Sequence, residues 1–328
     1  MAGRYERERA AATAAVREAA RLCRAVQGGI DAAALAKKDK SPVTVADFGS
    51  QALVCRAIGE MFTHDPIIAE EDSAALRGVG NEQLLARVVE HVGRVRSGAG
   101  GDEVCRWIDR GNAGQYSPRF WTLDPIDGTK GFLRGEQYAI ALALIIEGEV
   151  TVAALGCPNL TVSEGSKQTG AIFTAVKGEG AFVQPLEGGG GPAPVKVSNR
   201  KDTAGMRFCE SVESGHTSHS ESQRVAELLG IRAEPVRMDS QAKYAVVARG
   251  EADIYLRLPT RAGYVERIWD HAAGVLVVTE AGGKATDVAG RPLEFRHGPG
   301  LENNRGVVVS NGPLHGQIIE AIAQVGVK

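Results

Sequence analysis

Charge of one sign is the first thing this 328-residue chain lacks: Lys and Arg total 38 against 40 Asp and Glu, a formal charge of −2. A balance of that kind provides no broad basic field, so nucleic acid is not an expected partner. Long hydrophobic runs are missing too. Stretches such as Tyr138 to Ile146 fall well short of the roughly 20 apolar residues that cross a bilayer, and no membrane partner is expected. The start of the chain, with Arg4, Glu6, Arg7, Glu8 and Arg9 before an alanine-rich stretch, lacks the apolar core of a signal peptide and carries acids foreign to a transit peptide. Cysteine is sparse: Cys23, Cys55, Cys105, Cys157 and Cys209 are scattered, odd in number, and nowhere paired at metal-binding spacing. That excludes a disulfide framework and fits a reducing compartment. A cytoplasmic location is the expectation, with an organelle left open because a processed precursor would look the same. Internal repeats and low-complexity tracts are also absent.

What is present is the patterning of a two-part α/β chain. Val16, Ala19, Leu22, Cys23 and Val26 recur at helical spacing before Gly28-Gly29, and Val45, Phe48, Ala52, Cys55, Ile58 and Phe62 do the same. Lys37 to Ser41 between them reads as a loop, and the glycine-rich Ser97 to Asp102 as a surface excursion. Short strands are expected at Pro66–Ala69 and Phe120–Leu123, then hairpins over Tyr138–Leu155 and Ala171–Val183. After the glycines at 188–191 strands and helices alternate, near Met206, Val225, Val236, Ala242, Ile254 and beyond Asp270. Antiparallel pairs followed by alternation suggest an α/β (α+β layered) fold of two stacked sub-domains, 1–155 and 156–328.

Acids stand repeatedly where an apolar run gives way to a turn or a helix start, the place where ligands bind in α/β proteins. Asp124 and Asp127 close the run Phe120–Leu123, with Pro125 between them; proline removes an amide and disfavours the helical region for Asp124, so the chain is expected to turn there. Gly128 permits close approach to the backbone, and Thr129 is expected to open a helix whose free amides favour phosphate. Glu70 follows the strand at Pro66–Ala69, Asp47 stands beside Thr44 where a capping role is the alternative, and Asp270 is placed as a helix N-cap. Carboxylates gathered without His or Cys select Mg²⁺ over zinc. Packed together they also need cations, because mutual repulsion otherwise forces protonation. Such a cluster beside a helix start points to phosphoryl transfer.

Asp124-Pro-Ile-Asp127-Gly-Thr129 together with Trp269-Asp270-His-Ala-Ala-Gly274 resembles the lithium-sensitive inositol monophosphatase superfamily. Within it, Ser41-Pro-Val-Thr-Val-Ala-Asp47, the stretch from Gly128 to Tyr138 and Asp239-Ser-Gln-Ala-Lys-Tyr244 are similar to the 3′(2′),5′-bisphosphate nucleotidases. The likeness runs from about Ser41 to Phe295. It implies the sugar-phosphatase fold of alternating helix and sheet layers, and Mg²⁺-dependent removal of the 3′-phosphate from adenosine 3′,5′-bisphosphate. Glu70, Asp124, Asp127, Asp270 and the carbonyl of Ile126 would hold two or three Mg²⁺, while Asp47 and Thr129 would orient and deprotonate the attacking water. Gly128, Thr129, His216, Ser240, Lys243, Arg257 and Asp270 would surround the substrate. A departure is Ala69, where relatives often carry glycine.

Substrate choice rests on charge: a bisphosphate needs cationic donors away from the metals, and Lys243 and Arg257 are the candidates, with surface ion pairing as the alternative. Lys243 follows Ser240 by three residues, so hydroxyl and ammonium can share a helical face. The expected partner is a small nucleotide bisphosphate, with the chain itself monomeric or weakly homo-oligomeric. The rival activities are hydrolysis of inositol phosphates by the same core and, in another class, non-catalytic nucleotide sensing, which loss of a metal-binding carboxylate would favour; all of those expected are present.

Overall fold

Alternate residues of a strand face opposite ways, and here the two faces differ in size. The computed structural model describes residues 3–30, 41–212, 218–261 and 263–327. In it, Ile140, Leu142 and Leu144 turn one way into a core shared with two long helices. Ala139, Ala141 and Ala143, between them, turn the other way. The helices are α1 (Glu6–Gly28), which buries Val16, Ala19, Leu22, Cys23 and Val26, and α2 (Ser41–Met61), which buries Val45, Phe48, Ala52, Cys55 and Ile58. Each is the apolar stripe expected from the spacing.

The strands belong to a seven-stranded sheet whose spatial order follows the chain: β1 (Ile67–Ala69), β2 (Arg119–Asp127), β3 (Ala139–Ile146), β4 (Glu149–Thr161), β5 (Thr169–Val176), β6 (Gly180–Pro185) and β7 (Ala193–Pro194). β1 and β2 run parallel. They can because α3 (Glu82–Val95) and α4 (Gly101–Asp109) form the long crossover that parallel strands require. The other neighbours are antiparallel. β3 and β4 are joined by Glu147 and Gly148 at φ of 52° and 79°, the left-handed pair that a two-residue primed turn demands.

A second sheet has the order β11-β12-β10-β8-β9, built from β8 (Phe208–Glu210), β9 (Val236–Arg237), β10 (Ile254–Arg257), β11 (Lys284–Thr286) and β12 (Val307–Ser310). β8, β9 and β10 are mutually parallel, and β12 is antiparallel to its neighbours. Between the sheets lie α7 (Ala242–Ala248) and α8 (Ala272–Glu280), packed on the alanine-rich face of the first sheet and on Cys209, Tyr255, Val307 and Val309 of the second. The outer face of the second sheet is covered by α6 (His219–Leu229) and α9 (His315–Val325). α5 (Thr129–Leu133) is a short helix directly after β2. The layers thus run helix, sheet, helix, sheet, helix, the layered α/β class expected.

Several expectations need correction. A boundary between 155 and 156 falls inside the thirteen-residue strand β4, and the change of sheet comes instead between β7 and β8. Asp102 lies in the first turn of α4, not in a loop. Residues 37–40 of the expected loop lie outside the described residues, and Ser41 already begins α2.

Candidate active site

Parallel β1 and β2 deliver their carboxyl ends to the same edge, which brings Glu70 beside Asp124 and Asp127. The expected turn at Asp124-Pro125 is not a turn. β2 runs on to Asp127, and its pairing with β3 shifts register between Asp124 and Asp127. Residues three apart in a regular strand face opposite sides, so this irregularity is what lets both acids meet one cavity. Pro125 has no amide to lose from the ladder, and its carbonyl accepts from the Ser50 hydroxyl at 2.8 Å, tying β2 to α2.

One turn earlier on α2 is Asp47, buried at 7% exposure. It is no helix cap, because α2 begins six residues before it. Nor does Asp270 cap α8: it ends a short 3-10 turn (Ile268–Asp270), and His271 occupies the cap position without a side-chain bond to the helix start. Asp270 thereby enters the cavity from the layer between the sheets.

The cavity measures about 280 Å³ and is lined by Glu70, Asp124, Ile126, Asp127, Gly128, Thr129 and Asp270, with Arg257, Arg261 and Tyr264 also in the lining. Burial, then repulsion from Asp270 and its other acidic neighbours, pushes Glu70 up to about 8, although a hydrogen bond with Asp124 pulls the other way. Asp124 is held well above the carboxylate range by burial, followed by Glu70, Asp127 and Asp270. Asp127 is raised by burial and Asp270, against the pull of Lys243 and Arg257. Burial and then Glu71 and Glu70 lift Asp47 in the same direction.

Asp47 Oδ1 and Asp124 Oδ1 are buried with no hydrogen-bond partner. Orphaned carboxylate oxygens among like charges are a donor set suited to hard cations. A tighter group of metal-type donors, Glu266, Asp270 and His271 within 4.8 Å of one another, is largely committed elsewhere. Glu266 lies 2.7 Å from Arg257 Nε and 3.2 Å from His271 Nε2, and His271 Nδ1 meets the Tyr244 hydroxyl at 2.7 Å. Burial alone would raise Glu266, yet the His271 hydrogen bond and the Arg257 guanidinium bring it down to about 2. The carboxylate oxygens left without partners, those of Asp47 and Asp124, lie outside this group.

The expected substrate residues separate. Gly128, Thr129, Arg257 and Asp270 line the cavity. Arg257 is no exposed surface ion: its Nη2 donates to Asp270 Oδ2 at 3.2 Å. Ser240 and Lys243 are absent from the lining. Ser240 sits in the left-handed region at φ 72° and accepts from the Ala242 amide through its hydroxyl. Lys243 is 3% exposed, with Nζ 3.4 Å from the Met238 carbonyl and 5.1 Å from the centre of the Tyr255 ring. Burial lowers its pKa, against the attraction of Asp127. His216 lies outside the described residues. Two buried glutamines that sequence reasoning missed hold the acidic segments. The Gln51 side chain bonds both the carbonyl and the amide of Glu71, at 2.6 and 3.0 Å, and Gln241 bonds the segment around Asp270. Neither Gln51, within α2, nor Gln241, in the turn before α7, carries a local signal that could have revealed this.

Five alternating layers, with acids collected at the carboxyl edge of one sheet, define the scaffold of the sugar-phosphatase class. Solved inositol monophosphatases share it: that of Anabaena aligns with a TM-score of 0.63 at 20% identity, covering 97% of this chain and 96% of its own. The Zymomonas mobilis enzyme gives 0.64 at 18% identity, over 98% and 99%. The chain belongs to the inositol monophosphatase family, whose sequence profile it matches over residues 4–326. Among curated relatives, the 3′(2′),5′-bisphosphate nucleotidase of Schizosaccharomyces pombe is 44% identical over 98% of this chain and 96% of its own length. That of Oryza sativa is 44% identical over 97% and 94%. Among the described residues no helix is long and apolar enough to cross a membrane.

Proposed function

We propose that this protein is a Mg²⁺-dependent 3′(2′),5′-bisphosphate nucleotidase that hydrolyses the 3′-phosphate of adenosine 3′,5′-bisphosphate to AMP and phosphate. The observation that carries the reading is a cavity lined by four carboxyl groups, Glu70, Asp124, Asp127 and Asp270, together with Arg257, in a chain 44% identical over almost its whole length to a nucleotidase. Glu70, Asp124, Asp127, Asp270 and the Ile126 carbonyl are the residues that would hold two or three Mg²⁺. When bound, these cations supply positive charge to the phosphate oxygens and make water a better nucleophile.

The remaining work falls to the chain. Asp47 and Thr129 orient a water and take up its proton as its oxygen attacks phosphorus. The bond from phosphorus to the 3′ oxygen breaks on the opposite side, and that oxygen takes a proton from solvent water. Gly128, with no side chain, lets the phosphate approach the backbone, and Arg257 gives the uncleaved 5′-phosphate a charged donor. Lys243 and Ser240 act from beneath the cavity beside Asp127, and His216 completes the nucleotide site. The substrate is a free small molecule, handled in the cytoplasm by a monomer or weak homo-oligomer.

Phosphate release from adenosine 3′,5′-bisphosphate and from inositol 1,4-bisphosphate, each with and without Mg²⁺, tests this. Mg²⁺-dependent preference for the nucleotide is expected. Preference for the inositol phosphate would transfer the assignment to the family's other activity, and turnover in chelator would remove the metal role.

A further inference from the structure

Three chain segments meet at the acidic cavity: the end of β2 with Asp127, the turn before α7, and the stretch from Trp269 into α8 that carries Asp270. Gln241 touches all three. Its backbone amide donates to Asp127 Oδ2 at 2.6 Å. Its side chain donates through Nε2 to the Trp269 carbonyl at 2.8 Å and accepts through Oε1 from the Gly274 amide at 3.0 Å. The residue is 1% exposed, so water does not substitute for any of these bonds.

The choice of residue is chemically narrow. A neutral carboxamide offers a donor and an acceptor at a fixed separation; an ionised carboxylate cannot donate, and a thioether does neither well. α8 begins without a side-chain cap of its own, and Gly274 lies in its first turn, so Gln241 supplies from the turn before α7 the acceptor that helix start lacks. The bridge spans Asp270, holding the carbonyl of the residue before it and the amide of the fourth residue after it. The backbone of the same residue grips Asp127. Neighbouring contacts fix where Gln241 can be. Ser240 before it is left-handed and packs against Gly128, while a Cβ at Gly274 would run into the Tyr244 ring.

We propose that Gln241 is a positioning residue that sets the separation of Asp127 and Asp270 and, through it, the affinity of the cavity for divalent cations. This rests on the reading of those acids as metal-binding groups given above. Losing the side-chain bridge frees the Asp270 segment to relax away from its like-charged neighbours, and the cation must then gather it back.

The test titrates chelator-stripped full-length protein with Mn²⁺ and with Mg²⁺ by calorimetry, for wild type, Gln241→Glu and Gln241→Met, alongside melting of each in chelator. Both variants are expected to bind Mn²⁺ about 10–100-fold more weakly, the usual consequence of losing a group that orients a metal ligand. A variant that melts lower in chelator yet keeps its Mn²⁺ Kd within about twofold would show that Gln241 only packs, overturning the proposal. Should Gln241→Met fail to fold, Gln241→Glu, which keeps the acceptor for Gly274, decides in the same way. Wild type that binds neither ion would fell the metal reading itself, an outcome separate from equal binding by wild type and variants.

Discussion

Asp124 combines a carboxylate oxygen without a partner with four acidic neighbours, Glu70, Asp127, Asp270 and Asp47, that add to burial in pushing its proton affinity up. In the metal-free protein it is therefore a burden on the fold, which a bound cation turns into an asset. Asp124→Asn is expected to lower kcat by at least roughly 10²–10³-fold, on the scale of losing a principal electrostatic contact to the transition state. Melting in chelator should be unchanged or higher, because one repelling charge has gone. Near-normal turnover by the folded variant would refute the assignment. Arg257 poses the matching question for the substrate. Arg257→Ala removes a charged donor worth about 2–5 kcal/mol where the contact is desolvated. The ratio of kcat/KM for adenosine 3′,5′-bisphosphate over adenosine 3′-monophosphate should fall accordingly, and Lys243→Ala should lower it in the same direction. An unchanged ratio in both would leave the 5′-phosphate unread by either residue. The acids of this site were legible because each follows an apolar run. Gln51 and Gln241 were not, since their side-chain partners are 20 or more residues away in the chain and nothing beside them in sequence marks the contact.

Among the elements, helix faces were readable and helix starts were not. Apolar spacing identified the buried stripe of α2, but Asp47 looked like a cap because serine, threonine and aspartate around it all favour that position. The helix simply began earlier, and Asp47 became a buried interior acid. In β2, proline suggested a turn, yet the strand kept its course and absorbed the change as an irregular register. That irregularity depends on pairing with β3, which the local sequence does not encode. Gly128 is the joint between β2 and α5. Its φ of 87° and the 2.9 Å that would separate a new Cβ from Ser240 Cβ leave no room for alanine. Gly128→Ala is expected to destabilise the fold by about 1–3 kcal/mol and to lower kcat/KM by displacing the Asp239–Gln241 segment. Urea unfolding together with steady-state kinetics checks both, and a neutral result would mean that the joint adapts without strain.

For the whole molecule, pH and metal are opposed. Glu70 has a folded value of about 8 against the ordinary 4.5, so between those values the metal-free native state holds protons that the unfolded chain releases. Stability that depends on that proton is present at low pH and lost as pH rises through the folded value. In chelator the melting temperature should therefore fall between pH 6 and pH 8.5. Saturating Mg²⁺ should flatten or reverse the trend, because cations compete with protons and bind the native state alone. A melting profile in chelator that rises over this range would contradict the linkage. At this scale the layered class could be read from alternating strands and helices, but the division of sheets could not. β4 is a single strand running through the expected boundary, and its partners on both sides belong to one sheet.

The order of that first sheet, identical to the order of the chain, bears on how the protein comes into being during synthesis. Nearly every strand pairs with the one made just before it, so this sheet gathers from near neighbours with little loop to close. Three of the acids are in hand at that stage, alike in charge and partly out of water. The fourth, Asp270, is translated much later, just ahead of the helix α8 that packs against the alanine-lined face. The complete set of four acids is therefore a property of the finished molecule, gathered by the same central helix layer that joins the two sheets.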